Sequence, residues 1–407
     1  MKNDTVIPSA KTQAMNAGVR IFQSAYFSKF HDGELVVEAY DIYGRIINEA
    51  DMMAGCLKKK AFESDKSIGR CNNYEDNELV SQFLGMDPFE IDAYKIAESK
   101  AYRKLDDKTQ VYTFVENPYV RTRLSHTIEV ESIAVLLATI LGLNIHLVRA
   151  IARGHDIGHV PFGHEGERFF AKISGKECKH ALISAIVAQR IEHEGKGLNL
   201  CFETLQGITR HSTGKENPEE VNGYPLEYVL VAIADQLAYV FSDINDALRL
   251  GNIDLEKIPE QMLKLGNNQR DRLMVCILAI AKESMDHFTV SFGNSHILKL
   301  FLESREWMYT NVYSQIDQIK LILQLEKVYE YFHDSKIFSP RDPLLALSLL
   351  TNKEVAKIYQ FLGNDRRWSN NVLRYLKEIE LFKVMRHLPR ENPFDFNGVD
   401  LDPEHYN

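Results

Sequence analysis

The chain has 407 residues, 45% of them hydrophobic, enough to bury a large core in one domain or in two closely packed ones. Aspartate and glutamate outnumber lysine and arginine 57 to 48, and the formal charge of -9 argues against a surface built mainly for nucleic acid. The cysteines form no CxxC pair and are too sparse for a disulfide framework, and no apolar run reaches the roughly 18 residues of a membrane span, so a soluble, cytoplasmic protein is expected.

Residues 1 to about 85 show mixed polarity, with Lys58, Lys59, Lys60 and the stretch Gly69 to Asn77 expected at the surface. A helical pattern runs from Phe89 to Asp106, and a short extended piece is expected between Asp107 and Glu116 before Pro118 interrupts it. From His126 to Leu141, residues Val130, Ile133, Ala134, Leu137, Ala138 and Leu141 recur at helical spacing and predict one buried stripe. A second helix, Leu143 to Asp156, ends before Gly158 and Pro161, which leaves His155 and Asp156 at a helix end.

Two shorter helices are predicted over Gly163 to Ile173 and Cys178 to Glu192. The polar segment His211 to Pro225 reads as a loop able to cover a cleft. Leu226 to Leu250 has the clearest helical pattern, with Leu230, Ile233, Leu237 and Phe241 on its apolar side. Asp235, Tyr239, Asp243 and Asp246 lie elsewhere on that surface, spaced to face one cavity. Further helices are predicted over Arg270 to Ser284, Ile297 to Glu306, Gln315 to Phe332 and Val355 to Leu362. The expected fold class is all-α, with at most a minor hairpin or extended pieces near residues 110 to 120.

Adjacent residues do not share a helix face, but at a helix end His155 and Asp156 can both reach one ion, with His126 and Asp235 supplied by other helices. A charged aspartate in this apolar setting is costly to bury without an ion or a partner. Two imidazoles and two carboxylates, with no thiolate, suit Mn²⁺, Mg²⁺, Fe²⁺, Co²⁺ or Zn²⁺, and leave coordination positions for water and a phosphate oxygen. His159 and His164 follow in a turn and suit proton movement near neutral pH. Glu167, three residues after His164, is expected to accept a hydrogen bond from that ring and raise its proton affinity, making a general-acid pair. Arg103, Lys108, Arg121 and Arg123 precede His126, and guanidinium forks match phosphoryl oxygens.

The stretches 101–111, 121–130, 155–167 and 234–243, taken together, resemble the HD-domain superfamily and, within it, the deoxynucleoside triphosphate triphosphohydrolases, or dGTPase-like proteins. The resemblance implies an HD-type helical core over residues 89–250, an extension over 1–88 packed on it, and a C-terminal helical region over 251–407. It implies His126, His155, Asp156 and Asp235 as metal ligands, His159 and His164 as phosphate-contacting and catalytic histidines with Glu167 as the partner of His164, and His180 over the triphosphate. Arg123 resembles a phosphate-binding arginine, Tyr239 a residue against the deoxyribose, and Gln110 with Asp243 the readers of the 3′-hydroxyl.

The implied reaction releases a deoxynucleoside and inorganic triphosphate. The implied partners are a deoxynucleoside triphosphate, further copies of the chain and a nucleotide effector, with Mn²⁺ or Mg²⁺ as cofactor and no membrane; nucleic-acid binding is left open. Competing expectations are an HD-type phosphodiesterase or 5′-nucleotidase and, in another class, a non-catalytic nucleotide sensor or assembly protein. Base preference stays open, since Gln236 and the segment Asp92 to Ala97 depart from the family pattern.

Overall fold

The computed structural model describes residues 26–31, 34–39, 55–70, 85–113, 115, 117–212, 223–293, 295–315, 318–363, 369–388 and 399–406. Among the described residues the protein is all-α apart from one small antiparallel hairpin. Strands β1 (Tyr26–His31) and β2 (Glu34–Ala39) pair from Tyr26 opposite Ala39 to His31 opposite Glu34. The extended piece expected near residues 107–116 makes an isolated bridge, Thr109 to Thr122, and no named strand among the described residues.

The helices begin with α1 (Pro88–Glu98), α2 (Lys100–Lys104), α3 (Arg123–Leu141), α4 (Ile145–Gly154), α5 (Gly163–Ser174), α6 (His180–Ile186) and α7 (Phe202–Arg210). They continue with α8 (Leu226–Arg249), α9 (Glu260–Leu265), α10 (Gln269–His287), α11 (His296–Asn311), α12 (Gln318–Ser335), α13 (Pro343–Ser348), α14 (Asn352–Leu362), α15 (Ser369–Glu378) and α16 (Leu381–His387). The single helix predicted from Phe89 to Asp106 is divided at Ser99, whose side chain accepts from Tyr102 N and starts α2 afresh. Residues 213–222 of the expected loop, and most of the stretch Gly69 to Asn77, lie outside the described residues.

The chain separates into two compact units. One comprises Met1–Phe62, Ile133–Asn144 and Asn217–Gln315; the other comprises Glu63–Ser132, Ile145–Glu216 and Ile316–Asn407. Within the first, α8 buries Leu230, Ile233, Leu237 and Phe241, and Phe301 packs edge-on against Phe241 at 5.8 Å. Buried Glu227 at the start of α8 accepts from Phe62 N at 2.9 Å and Asn144 N at 3.0 Å, tying three distant stretches of sequence together.

In the second unit a continuous core joins Phe170, Ile183, Ile186, Leu205 and Ile208 to Leu325, Val328, Leu345, Val355, Ile358 and Leu376. Full burial of each such side chain contributes about 1.5–3 kcal/mol. The segment beside the site is held separately: Asn352, opening α14, accepts from Phe162 N at 2.9 Å and donates to Thr109 Oγ1 at 2.6 Å. Helix α3 is long and apolar enough to pass for a membrane span by length and composition. Its buried Arg123, His126, Val130, Ala134, Leu137 and Leu141 identify it as a core helix.

Candidate metal centre

Helix α4 ends at Gly154, and the turn that follows carries His155, Asp156 and His159. Its path is set by Ser184 on α6, whose Oγ accepts from Gly158 N at 2.9 Å and donates to His155 O at 2.8 Å. A Cβ at Gly158 would lie 2.1 Å from Ser184 N, so this close approach requires glycine. At Gly163 (φ +57) a Cβ would meet Arg123 Nη2 at 2.6 Å, which lets α5 start directly against the guanidinium.

Asp156 is the hub of the site. Its Oδ2 accepts from Arg123 Nη1 at 2.8 Å, while its Oδ1 lies 3.5 Å from His155 Nε2, 3.3 Å from His159 Nε2 and 3.8 Å from His180 Nε2. All five side chains are buried. Burial alone would raise the Asp156 carboxyl, but charge from His159, His155 and Arg123 outweighs it and holds the group well below the usual carboxylate range. Burial, reinforced by Arg123, pushes His159 well below the usual imidazole value against the pull of Asp156. The His159 and His180 rings stack with centroids 4.1 Å apart.

The imidazoles are oriented through their Nδ1 atoms. His155 Nδ1 lies 2.6 Å from Ala152 O and His211 Nδ1 lies 2.7 Å from Ile208 O. A carbonyl can only accept, so each Nδ1 carries the hydrogen and each Nε2 is turned toward the site. The His126 and His155 rings meet edge-on at 5.6 Å. Donor atoms of His155, Asp156 and His211 lie within 4.8 Å of one another, as do those of Asp156, His159 and His180, and those of His164, Glu167 and His180.

Glu167 is bound differently from the expectation. Its Oε1 accepts from both His180 Nδ1 at 2.7 Å and His180 N at 2.8 Å, so its direct partner is His180. The i,i+3 spacing does bring Glu167 near His164, yet the residue that opens α6 offers a ring and a backbone N–H together. Burial would lower the proton affinity of His180, but the hydrogen bond and charge of Glu167 prevail and raise it. Glu167, despite its own burial, is held far below its usual value by His180. His164 is reached by solvent yet crowded by protein; desolvation lowers its proton affinity, and Glu167 only partly offsets this.

Of the four basic residues expected near phosphate, Arg123 faces Asp156, while Arg121 bonds to Glu129 at 2.9 Å and Arg103 is exposed. Lys108 donates to His159 O; burial, with Lys104 and Arg123 nearby, lowers its ammonium to about 7. Gln110 N donates to Arg121 O at 3.4 Å, and the buried Gln110 Oε1 has no hydrogen-bond partner among the described residues.

In the other unit, α8 carries Asp235, Tyr239 and Asp243. Tyr313 donates to Asp243 Oδ2 at 2.7 Å, and burial raises the Tyr239 and Tyr313 phenols well above their usual value. Asp246, expected to share a cavity with these, accepts from Arg249 at 2.8 Å. One residue that sequence reasoning did not single out thus joins the picture, His211 at the C-cap of α7, and Tyr313, which lies in a stretch of weaker family resemblance, gains a partner in Asp243.

The nitrogen and oxygen donors, anchored Nδ1 atoms and ionised Asp156 fit a divalent metal. The HD domain model matches residues 123–240, and an HD-domain protein is the class that this fold and site define. Among related proteins, the deoxyguanosinetriphosphate triphosphohydrolase-like protein of Caldanaerobacter subterraneus subsp. tengcongensis is 34% identical over 350 residues, 85% of this chain and 96% of that protein. Its counterpart in Clostridium tetani is 35% identical over 281 residues, 66% of this chain and 78% of that protein. A further one, in Clostridium perfringens, is 34% identical over 288 residues, 69% and 82% of the two chains. The chain belongs to the deoxyguanosinetriphosphate triphosphohydrolase-like family of HD-domain proteins, and its clustered histidines and aspartates are consistent with a metal-dependent phosphohydrolase acting on nucleotides.

Proposed function

We propose that this chain hydrolyses deoxynucleoside triphosphates between the 5′-oxygen and the α-phosphorus, releasing a deoxynucleoside and inorganic triphosphate. The observation that carries this reading is the convergence of His155, His159 and His180 on one oxygen of Asp156 whose other oxygen is held by Arg123. The names of the relatives support the substrate class.

His126, His155, Asp156 and Asp235 would hold a divalent ion, Mn²⁺ or Mg²⁺, which supplies Lewis-acid polarisation of a phosphoryl oxygen. Arg123 and His180 offset the charge of the triphosphate, and His159, stacked on His180, lines the same side. Water adds to the α-phosphorus as its bond to the 5′-oxygen breaks, and His164 gives that oxygen its proton. The triphosphate's negative charge restores the proton that desolvation draws from His164, and Glu167 holds His180 beside it. Gln110 and Asp243 read the 3′-hydroxyl, with Tyr239 against the sugar. In this reading residues 89–250 are the catalytic core, residues 1–88 an extension and residues 251–407 a helical region. The protein works in the cytoplasm as a homo-oligomer that responds to a nucleotide effector.

A panel of four dNTPs and four NTPs, each with Mn²⁺, Mg²⁺, Fe²⁺, Co²⁺ or Zn²⁺ and direct product identification, tests this. Deoxynucleoside with intact triphosphate, and dATP preferred to ATP, is the expected result. Orthophosphate, pyrophosphate or a linearised cyclic nucleotide as product would replace it with a phosphodiesterase or nucleotidase, and saturable binding without turnover would make the chain a sensor.

A further inference from the structure

We propose that Asn352, at the start of α14, is a positioning residue for the proposed reaction: its side-chain amide ties the turn that presents His164 to the segment that presents Gln110. The inference rests on the roles given above to those two residues, and every group it invokes belongs to one compact unit.

The geometry fixes which end of the amide faces which partner. Phe162 N lies 2.9 Å from Asn352 Oδ1, and a backbone N–H can only donate, so the oxygen faces it. The amide nitrogen then points to Thr109 and donates to its Oγ1 at 2.6 Å. These partners lie 190 and 243 residues away in sequence, and Asn352 is 2% exposed, so its amide is committed to them.

Each bond falls where the local chain holds itself poorly. Phe162 has φ 66° and Gly163 φ 57°, consecutive left-handed residues, the first with a bulky side chain that disfavours this region. Phe162 is also the N-cap of α5 and has no polar side chain to cap it. His164 follows as the second residue of that helix, so the placement of its ring depends on the cap peptide. On the other side, Thr109 forms an isolated bridge to Thr122 rather than part of a strand. Gln110 comes next, its buried Oε1 without a hydrogen-bond partner among the described residues.

The anchor is itself firmly held. Thr351 and Glu354 form a capping box at the start of α14, with Glu354 Oε2 accepting from Thr351 N at 2.7 Å. Lys104 donates to Glu354 Oε2 at 3.2 Å and to Leu349 O at 2.9 Å. A fixed amide on a fixed helix end therefore sets the spacing between a proton donor and a sugar reader, and rate depends steeply on such spacing.

Amide hydrogen exchange, with dATP and ATP kinetics, on the whole Mn²⁺-loaded protein tests this. Asn352→Leu, similar in size, should speed exchange in residues 107–112 and 158–166 while keeping Mn²⁺ occupancy. It should also lower kcat for dATP about 10- to 100-fold and erode the preference for dATP over ATP. Asn352→Asp should recover most of this: one carboxylate oxygen accepts from Phe162 N, the Thr109 hydroxyl turns to donate to the other, and negative charge suits a helix N-terminus. Thr109→Val should speed exchange in residues 107–112 alone and erode sugar preference more than kcat. Unchanged exchange in an active Asn352→Leu, or equal losses in Asn352→Asp and Asn352→Leu, would overturn this inference alone. If Asn352→Leu does not fold, Thr109→Val decides, and unchanged exchange there overturns the tie. A wild type with no deoxynucleoside triphosphate turnover overturns the proposed function first, and this role with it.

Discussion

Arg123 Nη1 lies 2.8 Å from Asp156 Oδ2, and both side chains are buried. The guanidinium therefore neutralises the carboxylate that a metal would also claim, and in the proposed function it also offsets the charge of the triphosphate. Arg123→Gln should raise Mn²⁺ affinity severalfold, because a competing positive charge is gone, while lowering kcat/KM by about 10²–10³ through loss of phosphate stabilisation. Metal titration and steady-state kinetics on one preparation check both; a parallel fall in the two would assign Arg123 to holding the site together.

His164 makes the opposite separation. His164→Ala should keep full metal occupancy and lose about 10²–10⁴ in kcat, the usual range for a positioned proton donor. Normal turnover in that variant would remove His164 from its proposed role.

Asp235→Asn tests the remaining proposed ligand. Mn²⁺ affinity is expected to fall at least about 100-fold, more than removal of an outer partner usually costs. Elemental analysis after dialysis against chelator reads it directly, and unchanged affinity would place Asp235 outside the metal's ligands.

The Glu167–His180 pair predicts a pH dependence of stability. His180 is raised from 6.5 and Glu167 lowered from 4.5, so their contribution is full between those values. It is lost as pH rises through the folded value of His180 and as pH falls through that of Glu167. The melting-temperature deficit of metal-free His180→Gln against metal-free wild type should be largest between pH 4.5 and 6.5 and shrink toward alkaline pH. A deficit independent of pH would contradict the assignment.

Away from the site, Asp92 is fully buried and accepts from Arg70, from Cys201 N at 2.9 Å and from Thr204 Oγ1 at 2.6 Å. Asp92→Ala strands those donors and should cost about 3–5 kcal/mol of stability in denaturant unfolding. A loss under 1 kcal/mol, within about the range of an ordinary surface change, would show that the network relaxes.

The sequence made His155 and Asp156 conspicuous because a polar pair at the end of an apolar helix has few inexpensive explanations, and periodicity located α3, α4 and α8 for the same reason of one-sided burial. Glu167 was harder to read: local spacing pointed to His164, whereas its bond goes to His180, thirteen residues away, a pairing made by the turn between α5 and α6. His211 was hidden by its polar neighbours, which read as loop. The available signal was that it follows an amphipathic helix and caps it as His155 caps α4, each with Nδ1 on the carbonyl three residues back. Short helices such as α13 and α16 escaped because too few turns exist to establish a period.

The most direct measurement of the proposed chemistry is turnover of a deoxynucleoside triphosphate in ¹⁸O-water with mass analysis of both products. Attack on the α-phosphorus should place one ¹⁸O in inorganic triphosphate and none in the deoxynucleoside. Label in the deoxynucleoside, or pyrophosphate with a nucleoside monophosphate as products, would contradict it.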